Sequence, residues 1–314
     1  MSPVAAIDCG TNSIRLLVAD VRGGDGGPAP TRLVDRARLM EIVRLGQGVD
    51  RTGRFDPEAL DRTFAALRHY ASLIRSHRVT DVRMVATSAT RDAANADVFV
   101  AGVRDVLGVE PEVITGHEEA SLSYRGATAG VSESLAPSPR LVVDIGGGST
   151  EVVLGDGDQV LAARSVDIGC VRMTERHLAG DPPSDAQVAR TVADIDAALA
   201  MVTSGVPIVR ASSLVGLAGS VTTVAAIYLG LAEYDPLVIH GSVIPADDVR
   251  RISDDLLAMT RPQRASISVM HPGRVDVIAA GALVLRRIVD VTGLPAVVVS
   301  EHDILDGIAW SLVG

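Results

Sequence analysis

The chain has 314 residues, 47% of them hydrophobic and 22% charged, with a formal net charge of −10 and 3% aromatics. That length carries one or two domains with an ample core, while an acidic balance with few rings excludes a nucleic-acid binder, which needs a basic stripe and stacking surfaces. All 29 basic residues are arginine, so a lysine-bearing P-loop and Schiff-base chemistry are excluded too. The longest uncharged stretch, Ala211 to Ala232, is broken by Gly, Ser and Thr and reads as strand, turn and helix, so no membrane span is expected. The N-terminus lacks the basic-then-apolar form of a signal peptide. Two cysteines, Cys9 and Cys170, give neither a disulfide framework nor metal spacing, which fits a reducing cytoplasm.

In chain order, Ala6 to Val18 reads as strand, turn and strand, followed by a flexible connection, Gly23 to Pro30. A β-rich run from Arg32 to Leu45 and a loop to Arg54 come next. Asp56 caps and Pro57 starts a helix whose apolar stripe is Leu60, Phe64, Leu67, Ala71 and Ile74. A short strand, Val82 to Ala86, delivers Thr87 to Arg91 at its C-terminal end, the edge where open α/β sheets place ligands. Residues 94–107 are predicted helical, Glu112 to Ile114 a strand, and His117 to Gly130 a helix carrying Glu118 and Glu119. Ser132 to Pro139 is the expected connector into the second half.

That half opens on Leu141 to Leu154, in which an apolar strand ends at Asp144 and the turn Gly146-Gly147-Gly148-Ser149 leads into a second strand. A strand from Gln159 to Val166 follows, then a helix capped by Ser184 with the stripe Val188, Val192, Ile195, Leu199 and Val202. The turn Gly216-Leu217-Ala218-Gly219-Ser220 follows a strand and opens a helix. Helices are predicted over Ala246 to Met259 and Pro272 to Thr292, a last strand over Val297 to Val299, and a last helix over His302 to Leu312.

Three successive glycines let backbone N–H groups approach a ligand with no Cβ in the way, which suits phosphate oxygens. Asp144 and Glu151, seven residues apart, can hold a hard cation beside that phosphate. The first hairpin repeats the pattern: Asp8 falls on Asp144, Gly10 on Gly146, Ser13 on Ser149 and Arg15 on Glu151. One such turn is an ordinary glycine hairpin; two, one per half, imply a duplicated fold with the ligand in the cleft between the halves.

The paired Asp-Gly hairpins and the late glycine turn resemble the actin, sugar-kinase and heat-shock-chaperone ATPase superfamily. Within it, Ile7 to Leu16, Ala86 to Ala93, Thr115 to Ala120, the hairpin Asp144 to Glu151 and the turn Gly216 to Thr223 are similar to the exopolyphosphatase/guanosine pentaphosphate phosphohydrolase family. They occur in that family's order across nearly the whole chain. The resemblance implies an α/β protein of two ribonuclease-H-like domains, a duplicated actin-like fold, with the active site in the interdomain cleft. Its domains would be 1–130, completed by the last helix at 302–314, and 131–301. The expected activity is Mg²⁺-dependent release of terminal phosphate from linear polyphosphate. The alternatives are hydrolysis of guanosine pentaphosphate (pppGpp) and a weakly catalytic binder of pppGpp or ppGpp.

Phosphoanhydride hydrolysis needs neutralised phosphoryl oxygens, in-line positioning and an acceptor for the water proton. The turns Gly10, Thr11, Asn12, Ser13 and Gly146, Gly147, Gly148, Ser149 would grip phosphate, and Arg15 and Arg91 would add charge that binds two oxygens at once. Adjacent helical residues point about 100° apart, so only one of Glu118 and Glu119 can face the site, and spacing does not choose between them. The family motif puts its catalytic glutamate at the second position, here Glu119. The family's Mg²⁺ acids correspond to Asp144 and Glu151, with Asp8 a weaker candidate. Longer members append an HD-like domain, and a chain stopping at Gly314 without one is expected to favour short polyphosphate. A homodimer is the expected assembly. His302-Asp303 is an isolated pair without the other ligands an HD metal site needs. Cys9 reads as a small buried filler.

Overall fold

The computed structural model describes residues 3–22 and 32–313; the glycine-rich connection at 23–30 lies outside the described residues. The chain divides into two compact units. One runs as far as Gly126 and resumes at Ile304, and the other is Ala127–Asp303. The change of unit thus falls inside the helix Gly116–Thr128, and the 132–139 segment belongs to the second unit.

The first unit is built on β1 (Val4–Cys9), β2 (Ser13–Arg22), β3 (Arg32–Ile42), β4 (Asp81–Ala86) and β5 (Glu112–Val113). Their order is β3-β2-β1-β4-β5. β2 runs antiparallel to β1 and to β3, whereas β4 is parallel to β1 and to β5. β1 is buried along its whole length because the sheet is covered on both faces. Ala5, Ile7 and Cys9 meet Leu60, Leu67 and Tyr70 of the helix Pro57–Ser76 and Phe99 of the helix Ala96–Leu107. Val4 and Ala6 meet Leu122 and the last helix, Ile304–Ser311, through Ile304, Leu305 and Ile308. The two-residue period of a strand therefore sends Asp8 to this second face, at the C-terminal end of β1.

Local signals hold these helices in place. The Asp56 carboxylate accepts from the amides of Glu58 and Ala59, a cap worth about 1 kcal/mol. The last helix lies so close to its neighbour that a Cβ on Gly307 would stand 2.1 Å from the Leu122 carbonyl oxygen. Arg38 reaches it from β3 and donates to both oxygens of buried Asp306, and Arg83 donates to Ser311.

The second unit carries β6 (Arg140–Ile145), β7 (Thr150–Asp156), β8 (Gln159–Val166), β9 (Ser213–Leu217), β10 (Val243–Pro245) and β11 (Ala296–Val299). Its sheet runs β10-β11-β9-β6-β7-β8. From the β8 edge, the series β8-β7-β6-β9-β11 repeats the order and the strand senses of the first sheet. β10 adds an antiparallel edge. Leu141, Val143 and Ile145 enter the core with the helices Asp185–Gly205, Ala218–Tyr228 and Ile278–Thr292. Asp144, out of phase with them, faces the other way. Ser184 and Gln187 form a capping box at the start of the 185–205 helix.

Some expectations need correction. Residues 272–292 do not form one helix: Pro272–Arg274 is a 3₁₀ turn, capped by His271 accepting from the Gly273 amide, and the α-helix begins at Ile278. The residues that β4 delivers, Thr87 to Arg91, enter a short helix, Ser88–Asp92, for which no helix is predicted. The helix Cys170–His177 carries its buried residues Cys170, Val171 and Met173 only in the first turn, too few for a visible stripe. Among the described residues no helix is long and apolar enough to cross a membrane.

Candidate active site

The two glycine hairpins are held from behind in the same way. In the first unit the Gly10 amide donates to the Ser13 carbonyl at 3.0 Å and closes the turn. The Asn12 carbonyl accepts from the amides of Val43 and Arg44, and the Thr11 carbonyl from that of Gly46. Gly46 permits this approach, because a Cβ there would meet the Thr11 methyl at 2.3 Å. With the carbonyls tied back, the Thr11 and Asn12 amides donate to no group among the described residues. The Thr11 and Ser88 hydroxyls hydrogen-bond at 3.1 Å, fixing the turn against the short helix that ends near Arg91.

In the second unit Gly146 donates to the Ser149 carbonyl at 3.1 Å. The Gly147 carbonyl accepts from Val171 and Arg172, and the Gly148 carbonyl from Gly169 and the Arg172 guanidinium. A Cβ on Gly169 would lie 2.3 Å from the Gly147 carbonyl, so this contact requires glycine. Again the amides of the two middle residues, Gly147 and Gly148, donate to nothing among the described residues. Free amides in succession make an anion-binding concavity. Sequence reasoning found both turns and missed both clamps; the glycines at 46 and 169 were their only trace.

The acidic candidates separate by environment. Asp8 stands opposite Arg15 across β1–β2 and takes the Arg15 guanidinium at 2.7 Å. At the same place in the second hairpin, Asp144 stands opposite Glu151 across β6–β7. Both carboxylates are buried, and Glu151 accepts from the Ser165 hydroxyl at 2.7 Å. Directly opposed residues share a face of the sheet, so these two can chelate one cation. No cluster of three or more His, Cys, Asp or Glu side chains with metal geometry occurs among the described residues. Two facing carboxylates fit a hard cation that completes its shell with water and substrate oxygens, the habit of Mg²⁺.

Glu118 and Glu119 divide cleanly. Glu118 lies at the surface on Arg83, its side chain 45% exposed. Glu119 is buried and accepts from Arg91 at 2.8 Å, and Arg91 also donates to the Ile114 carbonyl. Both arginines offered to phosphate, Arg15 and Arg91, are thus engaged with carboxylates. Arg125 is exposed and Tyr124 fully buried. Burial, then Asp8, push the Cys9 thiol well up, which makes it a poor nucleophile and a good filler.

The third turn contributes a network with no sequence signal. Ala218, rather than a glycine, takes the left-handed conformation at φ 67°. The Arg274 guanidinium covers Gly219 so closely that a Cβ would lie 2.5 Å from its central carbon, and it donates to the Thr223 hydroxyl. The Tyr234 hydroxyl reaches Glu301 at 2.6 Å and Thr222 at 2.7 Å; burial, then Glu301, push it upward. His302 stacks on His240 with ring centres 4.8 Å apart.

Two mixed α/β units with repeated sheet order, each presenting the free amides of a glycine hairpin, define a duplicated ribonuclease-H-like protein of the actin-like class. The chain matches the Ppx/GppA phosphatase family over residues 18–314 and belongs to it. It is 50% identical to Exopolyphosphatase 2 of Mycobacterium tuberculosis, over all of this chain and 99% of that protein. A crystal structure of an exopolyphosphatase-like protein superposes with a TM-score of 0.93 at 43% identity, covering 98% of each chain. The Aquifex aeolicus member of the family gives a TM-score of 0.81 at 30% identity, with 99% and 97% covered.

Proposed function

We propose that this chain is an exopolyphosphatase that removes the terminal phosphate from linear inorganic polyphosphate. The repeated hairpin carries the reading, together with full-length similarity to a protein of that name. Two sets of free amides suit a chain of phosphates, which asks for oxygen acceptors to be met and nothing else. The carboxylate of Glu119, oriented by Arg91, takes the proton of the attacking water as the oxygen–phosphorus bond forms and the bridging bond breaks. The shortened chain leaves on its own terminal oxygen. Asp144 and Glu151 would hold Mg²⁺, which when bound would supply positive charge to the phosphoryl oxygens. Ser165 holds Glu151 in the orientation this requires.

Short chains are the preferred substrate. A guanine pocket needs stacking surfaces, yet the aromatic nearest the catalytic helix motif, Tyr124, is fully buried. Phosphate release from short polyphosphate, long polyphosphate, pppGpp and ATP, measured side by side, tests the reading. The highest kcat/KM should fall on chains of a few phosphates; faster turnover of pppGpp than of every polyphosphate would replace this function with the nucleotide one. We place the protein in the cytoplasm, with its two thiols, Cys9 and Cys170, buried. A homodimer is its proposed state, and a monomeric mass by light scattering would refute it.

A further inference from the structure

A cavity lies within the second unit, between the outermost strand β8 and the helices Cys170–His177 and Asp185–Gly205. Its volume is about 290 Å³, at the small end of the range for ligand pockets, about 300–1,000 Å³. The floor is apolar: Val166, Ile168 and Ala198 are buried there, and Met201 stands at the side with 47% of its surface exposed. Arg164 and Arg176 flank it. An edge strand also offers backbone N–H and C=O groups along its outer side.

The charges around this cavity are unevenly committed. Asp194 is taken by His177 at 2.9 Å and by Arg176 at 3.3 Å. Asp167 is exposed, with Arg172 at 3.8 Å. The Arg164 guanidinium, by contrast, makes no hydrogen bond or ion pair among the described residues. An uncommitted guanidinium beside an apolar floor matches a ligand with an anionic head and an apolar body, since the fork takes two oxygens and the floor takes the rest.

We infer that this cavity binds a small organic anion, a phosphonate, phosphate ester or carboxylate carried on an apolar ring or chain. The head rests on Arg164 and the body on Val166, Ala198 and Met201. Ser165 is in the same wall, and its hydroxyl donates to Glu151. Ser165 alternates to the opposite face of β8 from Val166, so occupancy would reach that carboxylate by displacing the strand. This consequence rests on the polyphosphate reading; the binding itself does not.

Calorimetric titration of the whole chain with phenylphosphonate, without Mg²⁺, tests the site. One-to-one binding is expected, with inorganic phosphate at least tenfold weaker, because it lacks the apolar body. Arg164→Gln and Met201→Glu are exposed positions outside the catalytic residues; each should weaken phenylphosphonate at least tenfold while leaving the melting temperature and polyphosphate turnover unchanged. No binding by the wild type, equal binding of inorganic phosphate, or binding unaffected by Arg164→Gln would overturn the assignment. In a separate arm, phenylphosphonate should change the Mg²⁺ concentration at half-maximal activity in the wild type and not in Arg164→Gln. If binding holds and that shift is absent, the coupling to Glu151 is wrong and the site stands. A chain with no polyphosphatase activity would undo the functional reading alone.

Discussion

Glu151 stands opposite Asp144 across β6–β7 at the position where Arg15 stands opposite Asp8 across β1–β2. One hairpin neutralises its acid internally with a guanidinium 2.7 Å away. The other sets two buried carboxylates face to face, an arrangement of like charges that favours a bound cation.

Removal of either acid of the second hairpin should therefore act through the metal. Asp144→Asn and Glu151→Gln should each raise the Mg²⁺ needed for half-maximal activity and lower the maximal rate. They should also diminish the rise in melting temperature that Mg²⁺ gives the wild type, a linkage effect independent of turnover. Full activity in excess chelator would remove the metal from the mechanism.

Glu119 and Glu118 make an internal control. Glu119→Gln should cut kcat by about 10²–10⁴ with substrate binding near normal, as for loss of a general base. Glu118→Gln should do much less, since that carboxylate is on the surface with Arg83. Arg91→Ala should also lower kcat, and the double variant with Glu119→Gln should fall well short of the sum, because the two side chains act through one contact. Additive losses would separate their roles.

The clamp behind the second turn can be tested by a single methyl group. Gly169→Ala brings a Cβ to 2.3 Å from the Gly147 carbonyl, and overpacking of this kind costs about 1–3 kcal/mol. The turn 146–149 should shift, so KM for polyphosphate should rise together with a lower melting temperature. A variant that melts lower with unchanged KM would make the clamp structural only.

The last helix is held to the first unit as tightly. Gly307→Ala places a methyl 2.1 Å from the Leu122 carbonyl oxygen and should destabilise by a similar amount, about 1–3 kcal/mol. Thermal unfolding followed by circular dichroism reads this, and a melting temperature equal to the wild type would show that the helix packs there loosely.

Much of this was legible in the chain. The alternation in Leu141 to Leu154 and its echo in Ala6 to Val18 gave both hairpins, their common register and the duplication, because period and glycine spacing are local signals. Spacing does not separate the adjacent acids, although the family motif points to Glu119: the helix rotation that buries Glu119 and exposes Glu118 depends on what packs against it. The clamps by Gly46 and Gly169, and the approach of Arg274 to the third turn, join segments far apart in sequence, so no local window along the chain contains both partners. The 272–292 stretch reads as one helix because its apolar pattern runs on, whereas Pro272 and Gly273 with the His271 cap hold a separate turn first.

The most direct test of the account is where polyphosphate is cut. Phosphorus NMR of a linear chain of defined length, incubated with the protein and Mg²⁺, distinguishes terminal from internal phosphates as hydrolysis proceeds. Free phosphate should appear from the first turnovers, with chains shortening one unit at a time, and Glu119→Gln should abolish the change. Internal fragments appearing before free phosphate, or an intact chain in the presence of active protein concentrations and Mg²⁺, would contradict it.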